Sequence, residues 1–221
     1  MIKKLAFITA LALLSCPPAM ASSVGDELTF SFTSDHCTGN CGPQSSFATV
    51  EVTQTATDQL TFVFTALNGN TFINTGFPLT FGFDLQGTPV ITYSGLTAGW
   101  SVPGGNPQSA GTFHMDGFGD FEYGVLWDQQ GGGAGTTSLS FTITGTGLTL
   151  ESLIVDAQGA FFALDIRSGT NGNTGLVDDS LPGTPRTVGV PGPVLGAGLP
   201  GLLSGFGLWF LNRMRRRRNA I

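Results

Sequence analysis

The chain has 221 residues and net charge −6, enough for one domain with a sizeable core. Its charge is unevenly spread: all 15 acidic residues lie between Asp26 and Asp179, where Arg167 is the only opposing basic residue and no lysine occurs. This balance excludes nucleic acid as a partner, because no basic patch can neutralise phosphates. It also disfavours anionic lipid and suits an extracellular surface, with solubility alone as the plain alternative.

In chain order, the first residues read as a secretory signal. Lys3 and Lys4 precede an apolar run from Leu5 to Leu14, and Ala19-Met20-Ala21 offers small residues at the two sites a signal peptidase reads. Cleavage is expected after Ala21. Leu13-Leu14-Ser15-Cys16 gives a rival, lipoprotein-like site at Cys16, although bulky Leu14 stands where a small residue is usual. An uncleaved anchor is a third reading, for which the run is short.

From Glu27 the pattern has a period of two. Leu28, Phe30 and Phe32 alternate with Thr29, Ser31 and Thr33, as in a strand with one buried face. Cys37-Thr38-Gly39-Asn40-Cys41 then interrupts it. In an oxidising compartment Cys37 and Cys41 are expected to close a small disulfide loop, with Gly39 easing the turn. A metal reading of His36, Cys37 and Cys41 lacks a clear fourth ligand, and the spacing is not that of a thioredoxin-type pair.

Extended structure resumes at Phe47–Thr53, followed by Leu60, Phe62 and Phe64 on one face. Asn68-Gly69-Asn70 supplies a turn, with a pairing return expected at Phe72 and Ile73. Leu79, Phe81, Phe83 and Leu85 share the next face, and Gly82 between them permits a large ring to lie across the strand. Val90–Tyr93 reads as short and extended, and Ser94–Gly111 as a long loop around Trp100. Later faces are Leu139, Phe141 and Ile143, then Leu148–Val155, then Ala160, Phe162, Leu164 and Ile166, with Asp165 and Arg167 outward. Residues 171–189 are rich in Gly, Pro and Asp and read as a flexible linker. With about eight short strands and no helical period, residues 22–170 are expected to form an all-β, antiparallel β-sandwich or jelly-roll-like domain, with an incomplete barrel as the alternative.

Three groups of side chains offer chemistry. Asp116, Asp120 and Glu122, around Gly117 and Gly119, could converge on calcium. Their spacing is not that of an EF-hand, Phe118 stands where an acceptor is wanted, and the plain reading leaves these acids in water. Trp100, Tyr93, Tyr123 and Trp127, with Asn106 and Gln108, could make an aromatic platform for glycan, although aromatics at strand ends are commonly core. Catalysis has no supporting motif: Asp84, Asp116, Asp120, Glu122 and Asp128 allow many carboxylate pairs, no nucleophile elbow occurs, and no phosphate or dinucleotide loop appears. The expectation is a protein that is not an enzyme and has no cofactor.

The C-terminal residues are organised in three parts. Val190-Pro191-Gly192-Pro193 leads into Gly196-Ala197-Gly198-Leu199-Pro200-Gly201 and an uncharged run, followed by Arg213, Arg215, Arg216, Arg217 and Arg218. The run suits a transmembrane helix over about residues 194–211, and the arginines favour a cytoplasmic end. This order resembles the PEP-CTERM sorting signal of exported proteins of Gram-negative bacteria, with Gly192 where that family has glutamate. The upstream domain is similar to the β domains that accompany such tails around Ser94-Gly95-Leu96, Gly117–Tyr123 and Phe161–Gly169. The resemblance implies recognition and cleavage near the Pro-rich motif by an exosortase, after an inner-membrane intermediate. Delivery to the cell surface or the extracellular polysaccharide matrix, often in biofilm-forming bacteria, would follow. A permanent single-pass anchor is the plain alternative. The expected function is thus a non-enzymatic surface or matrix protein whose partners are signal peptidase, an exosortase-like enzyme and extracellular polysaccharide. The alternative is a secreted carbohydrate-binding or carbohydrate-active hydrolytic protein with the same tail.

Overall fold

The computed structural model describes residues 22–131 and 135–179. In chain order the strands are β1 (Glu27–Phe32), β2 (Ser34–Asp35), β3 (Ala48–Ala56), β4 (Gln59–Ala66), β5 (Thr71–Phe72), β6 (Phe81–Leu85), β7 (Thr92–Ser94) and β8 (Trp100–Ser101). They continue with β9 (Phe113–Met115), β10 (Gly119–Phe121), β11 (Tyr123–Trp127), β12 (Ser138–Thr144), β13 (Leu153–Ile154), β14 (Phe162–Arg167) and β15 (Thr174–Asp178). A 3-10 turn, Leu150–Ser152, precedes β13.

One sheet has the order β1-β3-β4-β12-β7. The second has β2-β15-β14-β6-β11-β8, with β13 on β6 and β5 on β14. The pairings between these strands are antiparallel. The two sheets meet through the alternating faces. From the first come Phe30, Val50, Phe62, Phe64 and Phe141; from the second, Phe81, Phe83, Tyr123 and Phe162, all in one buried cluster. Phe62 bridges the layers, with its ring centroid 4.9 Å from Phe141 and 5.4 Å from Phe83. Each such ring contributes about 1.5–3 kcal/mol through burial.

A third layer covers the far side of the second sheet. The β9–β10 hairpin pairs Gly119 with Met115 and Phe121 with Phe113. Met115, Phe118 and Phe121 pack with Leu79, Ala160, Ala163 and Leu176 into a separate small core. The hairpin sits close because β6 has no side chain at residue 82: a Cβ there would lie 2.8 Å from Met115 Sδ and 2.9 Å from Phe121 Cγ. With both faces covered, every residue of β6 is buried.

The expected fold needs several corrections. The antiparallel β architecture holds, but no helix among the described residues is long and apolar enough to cross a membrane. The helix expected over 194–211 lies outside the described residues. So do the signal segment 1–21 with Cys16, the sorting motif Val190, Pro191, Gly192 and Pro193, and the basic tail Arg213, Arg215, Arg216, Arg217 and Arg218. Part of the stretch expected to be a linker is a strand. Residues 174–178 form β15, held between β14 and β2, with Leu176 and Val177 buried. A tight turn, with Gly172 N donating to Ser168 O at 2.9 Å and Ser168 N to Asn173 O at 2.7 Å, brings the chain back. The Asn68-Gly69 turn also does not close a simple hairpin. Beyond it β5 leaves β4 and pairs with β14, so the turn carries the chain between sheets.

Candidate functional site

The expected calcium ligands do not form a metal-holding group. In the β9–β10 hairpin Asp120 stands opposite His114, and both are exposed. His114 Nδ1 and Asp120 Oδ1 are 2.8 Å apart. Asp116 is exposed at the hairpin turn. Glu122 is the bend residue between β10 and β11, and its N–H donates to Asp84 Oδ1 at 2.7 Å. Asp120 is paired with His114, and Glu122 is joined through its backbone to Asp84. Among the described residues no group of three or more His, Cys, Asp or Glu is placed to hold a metal ion. The calcium reading of Asp116, Asp120 and Glu122 is therefore not supported by their geometry.

The perturbed acids lie elsewhere. Tyr123 pairs with Phe83, which places Glu122 across from Asp84. Burial, with Glu122 and Asp156 nearby, pushes the Asp84 carboxyl up to about 6. Burial also raises that of Glu122. Asp156 Oδ1 accepts from Gln158 N and Ala160 N, each at 2.9 Å, closing the loop before β14. Asp165 is fully buried, contrary to the outward reading, because the loop at Thr75 covers it. Its Oδ2 accepts from Thr75 N at 2.7 Å and Thr75 Oγ1 at 2.6 Å, and burial pushes its carboxyl up to about 7. Asp179 Oδ1 accepts from Phe161 N and Phe162 N at 2.9 and 3.0 Å, and burial raises it likewise to about 7. These acids fasten loops to the second sheet. Sequence periodicity did not reveal this role, because the covering loops are remote in the chain. The one local signal was the position of Asp84 and Asp165 on the alternate face of strongly apolar strands.

The aromatic side chains expected to form a platform are buried. Trp100 is 6% exposed, Tyr123 0% and Trp127 9%. The two indoles pack with centroids 5.5 Å apart. Trp127 fills the space beside Gly99, where a Cβ would come within 2.6 Å of its ring. The tyrosine hydroxyls are spent internally: Tyr123 Oη donates to Pro89 O at 2.7 Å, and Tyr93 Oη to Gln108 Oε1 at 2.6 Å. Asn106 Oδ1 accepts from Tyr93 N and its Nδ2 donates to Tyr93 O, each at 2.9 Å. These rings are core and present no glycan surface.

Cys37 and Cys41 form a disulfide, with Cα atoms 5.4 Å apart, within the usual range. Both sulfurs are used by that bond, so His36 has no cysteine partners for a metal. Its ring packs on Phe118 instead, with centroids 4.5 Å apart. The loop is tied to the chain before β15. Cys41 O accepts from Ser168 Oγ at 2.7 Å, and Asn40 O from Asn173 Nδ2 at 2.7 Å and Asn171 Nδ2 at 3.1 Å.

The outward face of the five-stranded sheet carries mainly hydroxyls. Strand register aligns Thr53, Thr61, Thr142 and Ser94 across four strands. Thr61 Oγ1 lies 2.9 Å from Thr142 Oγ1 and 3.0 Å from Thr55 Oγ1. Glu27 and Glu51 lie near one edge, where burial and then Glu51 raise the Glu27 carboxyl. No protein-family model, curated protein or solved structure matches the chain.

Proposed function

We propose that this chain is an exported, non-enzymatic protein of the cell surface or extracellular matrix. The observation that carries the reading is the Cys37–Cys41 disulfide, whose two cysteines are buried under an exposed loop of three residues and fastened to the end of the second sheet. Such bonds persist in oxidising compartments and are rare where glutathione keeps thiols reduced. The signal-like residues before Ser22 and the sorting-signal resemblance from Val190 onward point the same way. In this reading signal peptidase acts after Ala21, and an exosortase-type enzyme acts near Pro191-Gly192-Pro193. The hydroxyl-rich outer face of the first sheet offers neutral hydrogen-bonding groups to matrix polysaccharide.

Fractionation of the native host tests the proposal, using the wild type and a variant with Arg215, Arg216, Arg217 and Arg218 replaced by serine. Wild type in the matrix fraction, with the variant held back or mis-sorted, is the expected outcome. Wild type in the cytosol with free thiols at Cys37 and Cys41 would refute it.

A further inference from the structure

Ser22 is fixed by one acidic side chain and one buried amide. Its backbone N donates to Glu151 Oε1 at 2.6 Å, and its hydroxyl donates to Glu151 Oε2 at 2.7 Å. The same hydroxyl accepts from Leu150 N at 3.3 Å and lies 3.4 Å from Gln54 Oε1. Gln54 is 3% exposed and sits at the register shift of β3. Its Nε2 donates to Ala56 O at 2.8 Å and Leu148 O at 3.2 Å, while its Oε1 accepts from Leu150 N at 3.1 Å. This amide therefore positions the 3-10 turn that carries Glu151. The next residues are also docked: Gly25 N donates to Gln54 O at 2.8 Å, Gln54 N to Asp26 O at 2.9 Å, and Ser23 N to Asp26 Oδ2 at 2.7 Å.

We propose that Glu151 is a receiving site for a new chain end: hydrolysis of the Ala21–Ser22 bond leaves an α-ammonium on Ser22 that pairs with the Glu151 carboxylate. The inference rests on the export reading above. Cleavage consumes one water and leaves a carboxylate on Ala21 and an ammonium on Ser22. The N–H···O bond already in place then becomes a bond between two charged groups, which is shorter and stronger, and the hydroxyl bond persists beside it. Among the hydrogen-bonded partners of residues 22 and 23, the 3-10 turn supplies Glu151, the turn before β1 supplies Asp26, and β3 supplies the neutral Gln54. Both charged groups are carboxylates, so the ammonium has favourable company. Burial pulls the Glu151 carboxyl up, but hydrogen bonds from Ser22, Thr149 and its own backbone outweigh this and hold it below its ordinary value. The site is thus ready as an anion. After cleavage the new end is retained at Glu151 by the contacts that already hold Ser22.

The chain makes the test clean. Its only lysines are Lys3 and Lys4, so after cleavage the Ser22 α-amine is the sole primary amine. The full-length gene is expressed with export, and intact mass establishes the first residue of the product. The rate of amine acylation is then titrated against pH for wild type, Glu151→Gln and Ser22→Ala. Wild type should label with a midpoint about half a pH unit above that of Glu151→Gln, with the gap narrowing in high salt. Ser22→Ala, which retains the ammonium, should keep the raised midpoint. Should Glu151→Gln fail to fold, the wild-type midpoint is compared with the ordinary α-amine value of about 7.7–8.0. A wild-type midpoint equal to that of Glu151→Gln, or to the ordinary value, overturns the pairing while a product beginning at Ser22 leaves the export reading standing. An unprocessed chain, or one beginning elsewhere, overturns the expected cleavage site and the pairing together.

Discussion

The ring of Phe121 occupies the space that a side chain at Gly82 would need, with Phe121 Cγ 2.9 Å from an ideal Cβ there. This contact joins the β9–β10 hairpin to β6 and creates the third layer. Gly82→Ala must push Phe121 and Met115 outward. It should cost about 1–3 kcal/mol through overpacking, and Gly82→Val should cost more. Denaturant unfolding measures the loss, and hydrogen exchange at Met115 and Phe121 shows whether the hairpin loosens first.

Phe62 touches both sheets of the main core. Phe62→Ala should cost about 3–5 kcal/mol, the range for a buried ring removed with little collapse. Its neighbour Val63 faces solvent at 44% exposure, and Val63→Thr should change stability by less than about 0.5 kcal/mol. A similar loss from both substitutions would contradict the alternation of β4.

Stability should fall as pH rises from the ordinary carboxylate range toward neutrality. The carboxyls of Asp84, Asp165 and Asp179 are pushed up to about 6, about 7 and about 7 from an ordinary value of 3.8. Each is harder to ionise in the folded protein than in the unfolded chain. The folded state therefore binds the protons more tightly, and this contribution is complete below the unfolded value and lost as pH climbs through 6 to 7. The melting temperature should be higher at pH 5 than at pH 8. Asp165→Asn, which can still accept from Thr75, should flatten part of the slope.

The disulfide closes a short loop, so its stabilisation is modest. Cys41→Ser should cost about 2 kcal/mol on chain-entropy grounds. Reduction should produce a similar loss without unfolding the domain at room temperature. Thermal melts with and without reductant check both outcomes.

The strands were legible wherever one face is apolar and the other polar, as at Phe30, Phe62, Phe83 and Phe141, because the pleat has a fixed period. The position of Gly82 beneath a ring was legible for the same reason. Asp165 was misplaced because periodicity tells which face a residue occupies and not whether a distant loop covers that face. β15 was missed because its few apolar residues follow a turn-rich stretch, Asn171-Gly172-Asn173, and it gains its order from β14 and β2. Trp100 and Trp127 offered no signal that separates a core ring from a binding ring. Their burial depends on Gly99 and on strand pairing remote in sequence. Asp116, Asp120 and Glu122 are close in sequence, but spacing alone does not show that Asp120 pairs with His114 across the hairpin, and the three are not grouped to hold a metal ion.

Intact mass of the protein recovered from the extracellular fraction of its native host tests the export and sorting proposal most directly, for wild type and Gly192→Glu. A species beginning at Ser22 and lacking the residues beyond Pro193 is the predicted result. A full-length chain that remains with the cells, with its C-terminal arginines intact, would contradict it.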